Sequence, residues 1–131
     1  MDRKVARLLD ANLNRAREGL RVVEDTARFV WGDAALYRRI RGLRHALHDA
    51  TAAGYKNLIR SRDSINDAGR SVKEGGRVSL SAVVSANLRR AQEAARVLEE
   101  YGKVFSPKAA GEFKRIRYRL YQEETKIFKK L

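Results

Sequence analysis

Cysteine is absent from this 131-residue chain. That excludes a disulfide framework and any thiolate metal centre, and it fits a reducing compartment. Proline occurs once, at Pro107, so little else along the chain breaks a helix. No apolar run extends beyond a few residues, far short of the ~20 that a membrane-spanning helix needs. The N-terminus, MDRKVARLLDANLNR, is charged from its second position and lacks the apolar core of a signal peptide. These absences predict a cytoplasmic protein with no membrane partner. Also missing are a GxxxxGK[ST] phosphate loop, a GxGxxG turn and a nucleophile elbow. The only histidines, His45 and His48, lie one helical turn apart; two imidazoles without a third ligand make a weak zinc case, and Arg44 and His48 read better as phosphate contacts or plain surface residues.

Charge is abundant. Charged residues make up 34% of the chain and hydrophobic ones 44%, with a net charge of +13. This composition suits helices with wet outer faces around one modest core. The positive excess is spread along the chain, so the folded body itself favours polyanions: nucleic acid, anionic lipid or phosphorylated small molecules.

The chain repeats itself. Ala11–Val30, ANLNRAREGLRVVEDTARFV, aligns with Ala86–Phe105, ANLRRAQEAARVLEEYGKVF, with nine of twenty positions identical. Downstream, LRHALH (43–48) matches IRYRLY (116–121) in pattern. Leu9, Leu13, Ala16, Leu20, Val23, Ala27 and Val30 step by four and three, as an apolar helical seam does. Val84, Leu88, Ala91, Ala95, Leu98, Gly102 and Phe105 form its counterpart. Gly32-Asp33 and Ser106-Pro107 supply a break and an N-cap for the second helix of each half. The expected fold is all-α, a single domain over 1–131. Helices are predicted at about 3–30, 34–53, 80–104 and 107–130. Two duplicated hairpins (about 3–53 and 80–131) pack into a four-helix bundle.

Between them lies 54–79, GYKNLIRSRDSINDAGRSVKEGGRVS. A connection of this length in a compact domain is usually functional. It is expected to be a partly helical lid, packed in part through Leu58 and Ile65. Within it Asp63 and Asp67 stand four apart; on a helix they would face the same way and could hold Mg²⁺, while turn formation is the plainer role for aspartate.

A polar row, Asn12-Arg15-Glu18-Arg21-Glu24, recurs as Asn87-Arg90-Glu93-Arg96-Glu99. An ion-pair ladder is one reading. Each step of three moves about 60° around the helix, so the five cannot share one pocket. Asn12, Arg15, Glu24 and their copies border the seam, where bundles build sites. Glu18 and Glu93 lie nearly opposite it and are weaker candidates.

The stretches RLLDANLNRAREGLRVVEDTARF (7–29), Arg62-Asp63…Asp67…Gly69 and SANLRRAQEAARVLEEYGK (85–103), with the RYRLY ending at 117–121, resemble the helical hydroxymethylpyrimidine phosphate kinase family. That domain often precedes a thiamine phosphate synthase barrel. The resemblance covers essentially the whole chain, and the barrel is not within it. It implies transfer of a phosphoryl group from ATP to hydroxymethylpyrimidine phosphate, with Mg²⁺. The partners it implies are the phosphate substrate, the nucleotide, a second copy as a homodimer and a separate synthase. By motif position Arg62, Asp63 and Asp67 become catalytic candidates, the two aspartates with Mg²⁺ between them. Asn12, Arg15, Glu24, Arg44, Arg70, Asn87, Arg90 and Glu99 become candidates for binding substrate and ATP. A basic nucleic-acid-binding protein and a non-catalytic helical assembly module are the rivals.

Overall fold

The computed structural model describes residues 1–131, and its regular structure is entirely helical. The helices are α1 (Arg3–Asp25), α2 (Ala34–Thr51), α3 (Tyr55–Ser61), α4 (Leu80–Phe105) and α5 (Pro107–Phe128). A π turn, Thr26–Val30, extends α1, and a 3₁₀ turn, Ala52–Gly54, joins α2 to α3. Local chemistry sets the starts. The Asp2 carboxylate accepts from the Lys4 N–H at 2.6 Å, Ser79 from Ala82 at 3.1 Å, and Ser106 from Ala109 at 3.2 Å with Pro107 following it. Each satisfies a backbone donor that has no partner within its helix. Gly32, at φ +60°, makes the left-handed turn between α1 and α2 that a side chain would oppose.

Both seams are buried, from Leu9 to Ala27 and from Val84 to Gly102. Their last members are not. Val30 is 60% exposed and Phe105 41%. In the first copy the reason is the π turn: the Trp31 N–H reaches back five residues to the Thr26 carbonyl. The wider turn rotates Val30 off the seam. In the second copy Phe105 is the final residue of α4 and borders an end cavity with Leu9 and Phe113. The core also holds Leu36, Ile40, Leu43 and Leu47 of α2, and Phe113, Ile116, Leu120 and Ile127 of α5. Each such side chain contributes roughly 1.5–3 kcal/mol on burial.

The two long first helices, α1 and α4, cross antiparallel. Leu9 shares a cavity with Leu98, while Gly19 lies against the Asn87 carbonyl. Arg15 and Arg90, equivalent residues of the two copies, therefore flank the crossing. A Cβ at Gly19 would sit 2.8 Å from the Asn87 backbone oxygen. Gly19→Ala is thus expected to destabilise by about 1–2 kcal/mol, overpacking outweighing the gain in helix propensity. Gly42, with nothing within 4 Å of its Cβ position, should gain about 0.5–1 kcal/mol as alanine. Urea midpoints of the two variants moving in opposite directions would confirm this.

α2 and α5 are tied by Arg39 Nε to Glu123 Oε1 at 2.9 Å and by Lys130 to Asp33 at 3.2 Å. The Leu36 N–H, first, and then Lys130 hold the Asp33 carboxyl below the usual 3.8. A lowered folded pKa adds stability that is present above the unfolded value and is lost as pH falls through the folded one. Asp33→Asn keeps a cap without the charge. It should flatten the pH dependence of the urea midpoint below about pH 4.

α3 is the helical part of the connection, and Leu58 is buried beneath it. Ile65 does not pack as expected; it is 77% exposed. The helix ends at Ser61, and extended backbone at Arg62 leads into a turn that carries Ile65 away from the bundle.

Candidate functional site

That change of direction at Arg62 builds the site. The chain leaves α3 and crosses the outer face of α1, enclosing a polar cleft of about 350 Å³. Helix α1 contributes Arg7, Asp10, Arg15 and Glu18; the crossing segment contributes Arg62, Asp63, Asp67 and Glu74; α4 contributes Arg90.

Arg62 anchors the segment. Its Nε and Nη2 donate to the two oxygens of Asp10 at 2.7 and 2.8 Å. Asp10 is buried at 2% exposure, and this fork is the geometry guanidinium and carboxylate prefer. Hydrogen bonding to Asp10 pushes the Arg62 guanidinium further into its charged form, against desolvation. Arg7 donates to the Asp63 carbonyl at 2.8 Å, a second tether.

The aspartates do not lie on a helix. Asp63 accepts from the side-chain amide of Asn66 at 3.0 Å and its backbone N–H at 3.1 Å. These two bonds, in that order, hold its carboxyl below the usual range. Asp67 Oδ1 accepts from the Gly69 N–H at 2.9 Å, and its other oxygen makes no hydrogen bond. Both carboxylates shape turns, yet both border the cleft. No three acidic or histidine side chains are grouped to cage a metal ion. The donor set fits a Mg²⁺ that takes one or two carboxylates and completes its shell with phosphate and water.

Arg15 and Arg90 differ from the arginines that brace the fold. Arg15 makes one long bond, 3.4 Å, to Asn12 Oδ1. Arg90 has no partner at all, and neither joins the ion pairs of Arg21, Arg44, Arg62, Arg96 or Arg117. The duplicated row thus brings two unneutralised guanidiniums, one per copy, to one cleft.

The remaining candidates lie elsewhere. Asn12 is buried and gives its amide to the Leu8 carbonyl at 3.0 Å; Asn87 does the same to Val83 at 2.8 Å. Glu24 is 1% exposed and receives Arg21 at 3.0 Å and Arg44 at 3.2 Å. Its counterpart Glu99 receives Arg96 at 3.5 Å and Arg117 at 2.8 Å. Each of these buried carboxylates thus answers two guanidiniums, one on its own helix and one on the next helix of its copy. Arg70 is exposed and outside the cleft lining. Asp10 and Arg7 are not legible as site residues in the sequence, and Glu18 reads there only as a weaker candidate. Asp10 aligns with Ser85 and Arg7 with Ala82, so the repeat does not mark them. Glu18 faces away from the seam, and only the returning segment turns that face into a wall.

A duplicated helical bundle with an arginine-lined cleft is the class that fold and site define. Residues 7–126 match the ThiD2 family, and the chain belongs to it. It is 46% identical over 127 residues to the thiamine-phosphate synthase of Synechococcus sp. (strain CC9605), covering 95% of this chain and 35% of that protein. The thiamine-phosphate synthases of Synechocystis sp. (strain ATCC 27184 / PCC 6803 / Kazusa) and Rhodopirellula baltica are each 44% identical. The matches cover 92% and 91% of this chain and 35% and 33% of theirs. The chain therefore spans about a third of these relatives. No solved structure matches it. No helix is long and apolar enough to cross a membrane.

Proposed function

We propose that this chain serves thiamine biosynthesis as the kinase that converts hydroxymethylpyrimidine phosphate and MgATP to the pyrimidine diphosphate and ADP. The observation that carries the reading is the pair Arg15 and Arg90, neither joined to a carboxylate, both lining one cleft. Phosphoryl transfer to a phosphate needs little acid–base chemistry, because the acceptor's second pKa is near 6. An acceptor oxygen attacks the γ-phosphorus, the bond to the β-phosphate oxygen breaks, and ADP leaves with that electron pair. The difficulty is holding two anions together, and fixed guanidiniums supply the required charge. Arg15 and Arg90 grip phosphate oxygens from either side of the helix crossing. Arg62, held rigid by Asp10, offers its remaining N–H groups from the third side. Asp67, assisted by Asp63, would hold Mg²⁺, which would supply charge neutralisation to the transferring group. The segment from Gly69 to Ser79, with Lys73 and Arg77, closes over the ligands and excludes water.

The deciding experiment is coupled ADP release with MgATP, with and without hydroxymethylpyrimidine phosphate. Release dependent on the pyrimidine phosphate, and lowered in Asp67→Asn, is expected. No turnover by folded protein with Mg²⁺ present would sink the kinase reading. Full activity in folded Asp67→Asn and Arg62→Ala would sink the site assignment.

A further inference from the structure

The duplication provides an internal comparison for the groove between α1 and α2. There Arg17, Arg44, His45 and His48 surround a cavity of about 310 Å³, with Asp49 as the single carboxylate. It shares no lining residue with the cleft described above. The second copy fills the equivalent place differently. Arg17 aligns with Gln92, which donates to Glu124 at 2.9 Å. His45 and His48 align with Tyr118 and Tyr121, which pack edge to face and lie under Arg117 at 5.0 and 5.7 Å. Only Arg44 has a retained counterpart, Arg117, and both serve the same buried glutamate of their copy. The fold therefore needs the arginine–glutamate pair at this position and not the three other basic side chains.

What those side chains offer is a preset donor array. His48 is steered by the edge of Tyr55, with ring centroids 5.9 Å apart, and Arg17 leans on the Tyr55 hydroxyl at 3.4 Å. Arg44 spends Nη2 on Glu24 while its Nε is buried with no acceptor. A buried donor left unpaired is costly and calls for a partner. Neutral imidazole still donates one N–H and guanidinium donates five, so the array exceeds what Asp49 and Glu24 can accept. Two guanidiniums held at fixed positions suit the tetrahedral oxygens of phosphate.

We propose that this groove is a second anion site, which takes orthophosphate or the phosphoryl end of a small phosphate monoester. Its occupancy does not depend on the kinase reading. His45 and His48 are the only histidines in the chain, so their ring-proton NMR signals report on the site directly. Titration of the purified chain with inorganic phosphate, and separately with glycerol phosphate, should shift both signals saturably. Sodium chloride at matched ionic strength should not. Tighter binding of the ester would identify a phosphorylated metabolite as the ligand, and equal binding would identify free phosphate. Arg17→Gln and His48→Tyr place in the first copy what the second already carries, so both variants should fold. Each should weaken phosphate binding about tenfold or more, read on His45 in the second variant. Arg90→Ala should leave it unchanged. Signals unmoved by phosphate, moved equally by chloride, unaffected by Arg17→Gln, or lost with Arg90→Ala would each overturn the proposal.

Discussion

Arg15→Ala and Arg90→Ala are each expected to lower kcat/KM for the pyrimidine phosphate kinase reaction by about 10²–10³-fold, the usual consequence of deleting one preorganised charge partner of a transition state. Both should do so with little loss of stability, within about 0.5 kcal/mol, as for other exposed side chains outside structural networks. The reason lies in the partners. Arg90 bonds to nothing in the fold, and Arg15 only to Asn12 at 3.4 Å, so their deletion strands no buried group. Arg62→Ala is a poorer test, because it abandons a carboxylate that is 2% exposed. Loss of activity there mixes chemistry with unfolding. Lysine at position 15 or 90 should restore part of the rate, since it keeps the charge but not the planar fork. The measurement is steady-state ADP release beside a urea melt for each variant. Normal kinetics in both alanine variants would remove the cleft from the reaction, even if the protein proved to be the kinase.

The bundle was legible because its signals are local. The four-and-three apolar steps fixed which face of α1 and α4 is buried, and Asp33 and Ser106-Pro107 marked the starts of α2 and α5 as found. The errors fall where local pattern yields to hydrogen-bond geometry or long-range packing. Val30 continues the heptad on paper but not in space, since a π turn consumes one extra residue. Asp63 and Asp67 have helical spacing, yet backbone and side-chain bonds from Asn66 and Gly69 make turns cheaper there. For the site, the repeat marked Arg15 and Arg90, a basic residue retained at one register in both copies and paired with no carboxylate in either. The same retention also marked Glu24 and Glu99, whose cause is structural. Periodicity places a side chain on a helix face and says nothing about what lies across from it. Asp10 shows the converse: a single acid beside the seam, unremarkable until Arg62 arrives from 52 residues away.

Glu24→Leu is expected to destabilise the protein by about 3–5 kcal/mol, the cost of breaking a buried ion pair by removing one side. That is a large part of the 5–15 kcal/mol available to a domain of this kind, and it lowers the melting temperature by about 10–20 °C. The geometry accounts for the size. Glu24 is 1% exposed and Arg44 20%, and the Nε of Arg44 is already buried without an acceptor. Loss of Glu24 therefore leaves a largely buried guanidinium short of two bonds. The attraction within the pair roughly offsets its own desolvation, so deleting both charges should be far milder than deleting one. Glu24→Leu/Arg44→Met is accordingly expected to regain most of the loss. The second copy repeats the experiment within the same molecule, for Glu99 is 5% exposed and Arg117 11%. Glu99→Leu and Arg117→Met should behave alike, singly and together. The Glu99 series also tests whether that carboxylate acts only in the fold. If Glu99→Leu/Arg117→Met recovers stability but not ADP release, Glu99 takes part in the reaction, and its ion pairs in the free protein must open when nucleotide binds. If both recover together, the retained glutamates of the two copies are the bolts of the bundle and take no part in the chemistry.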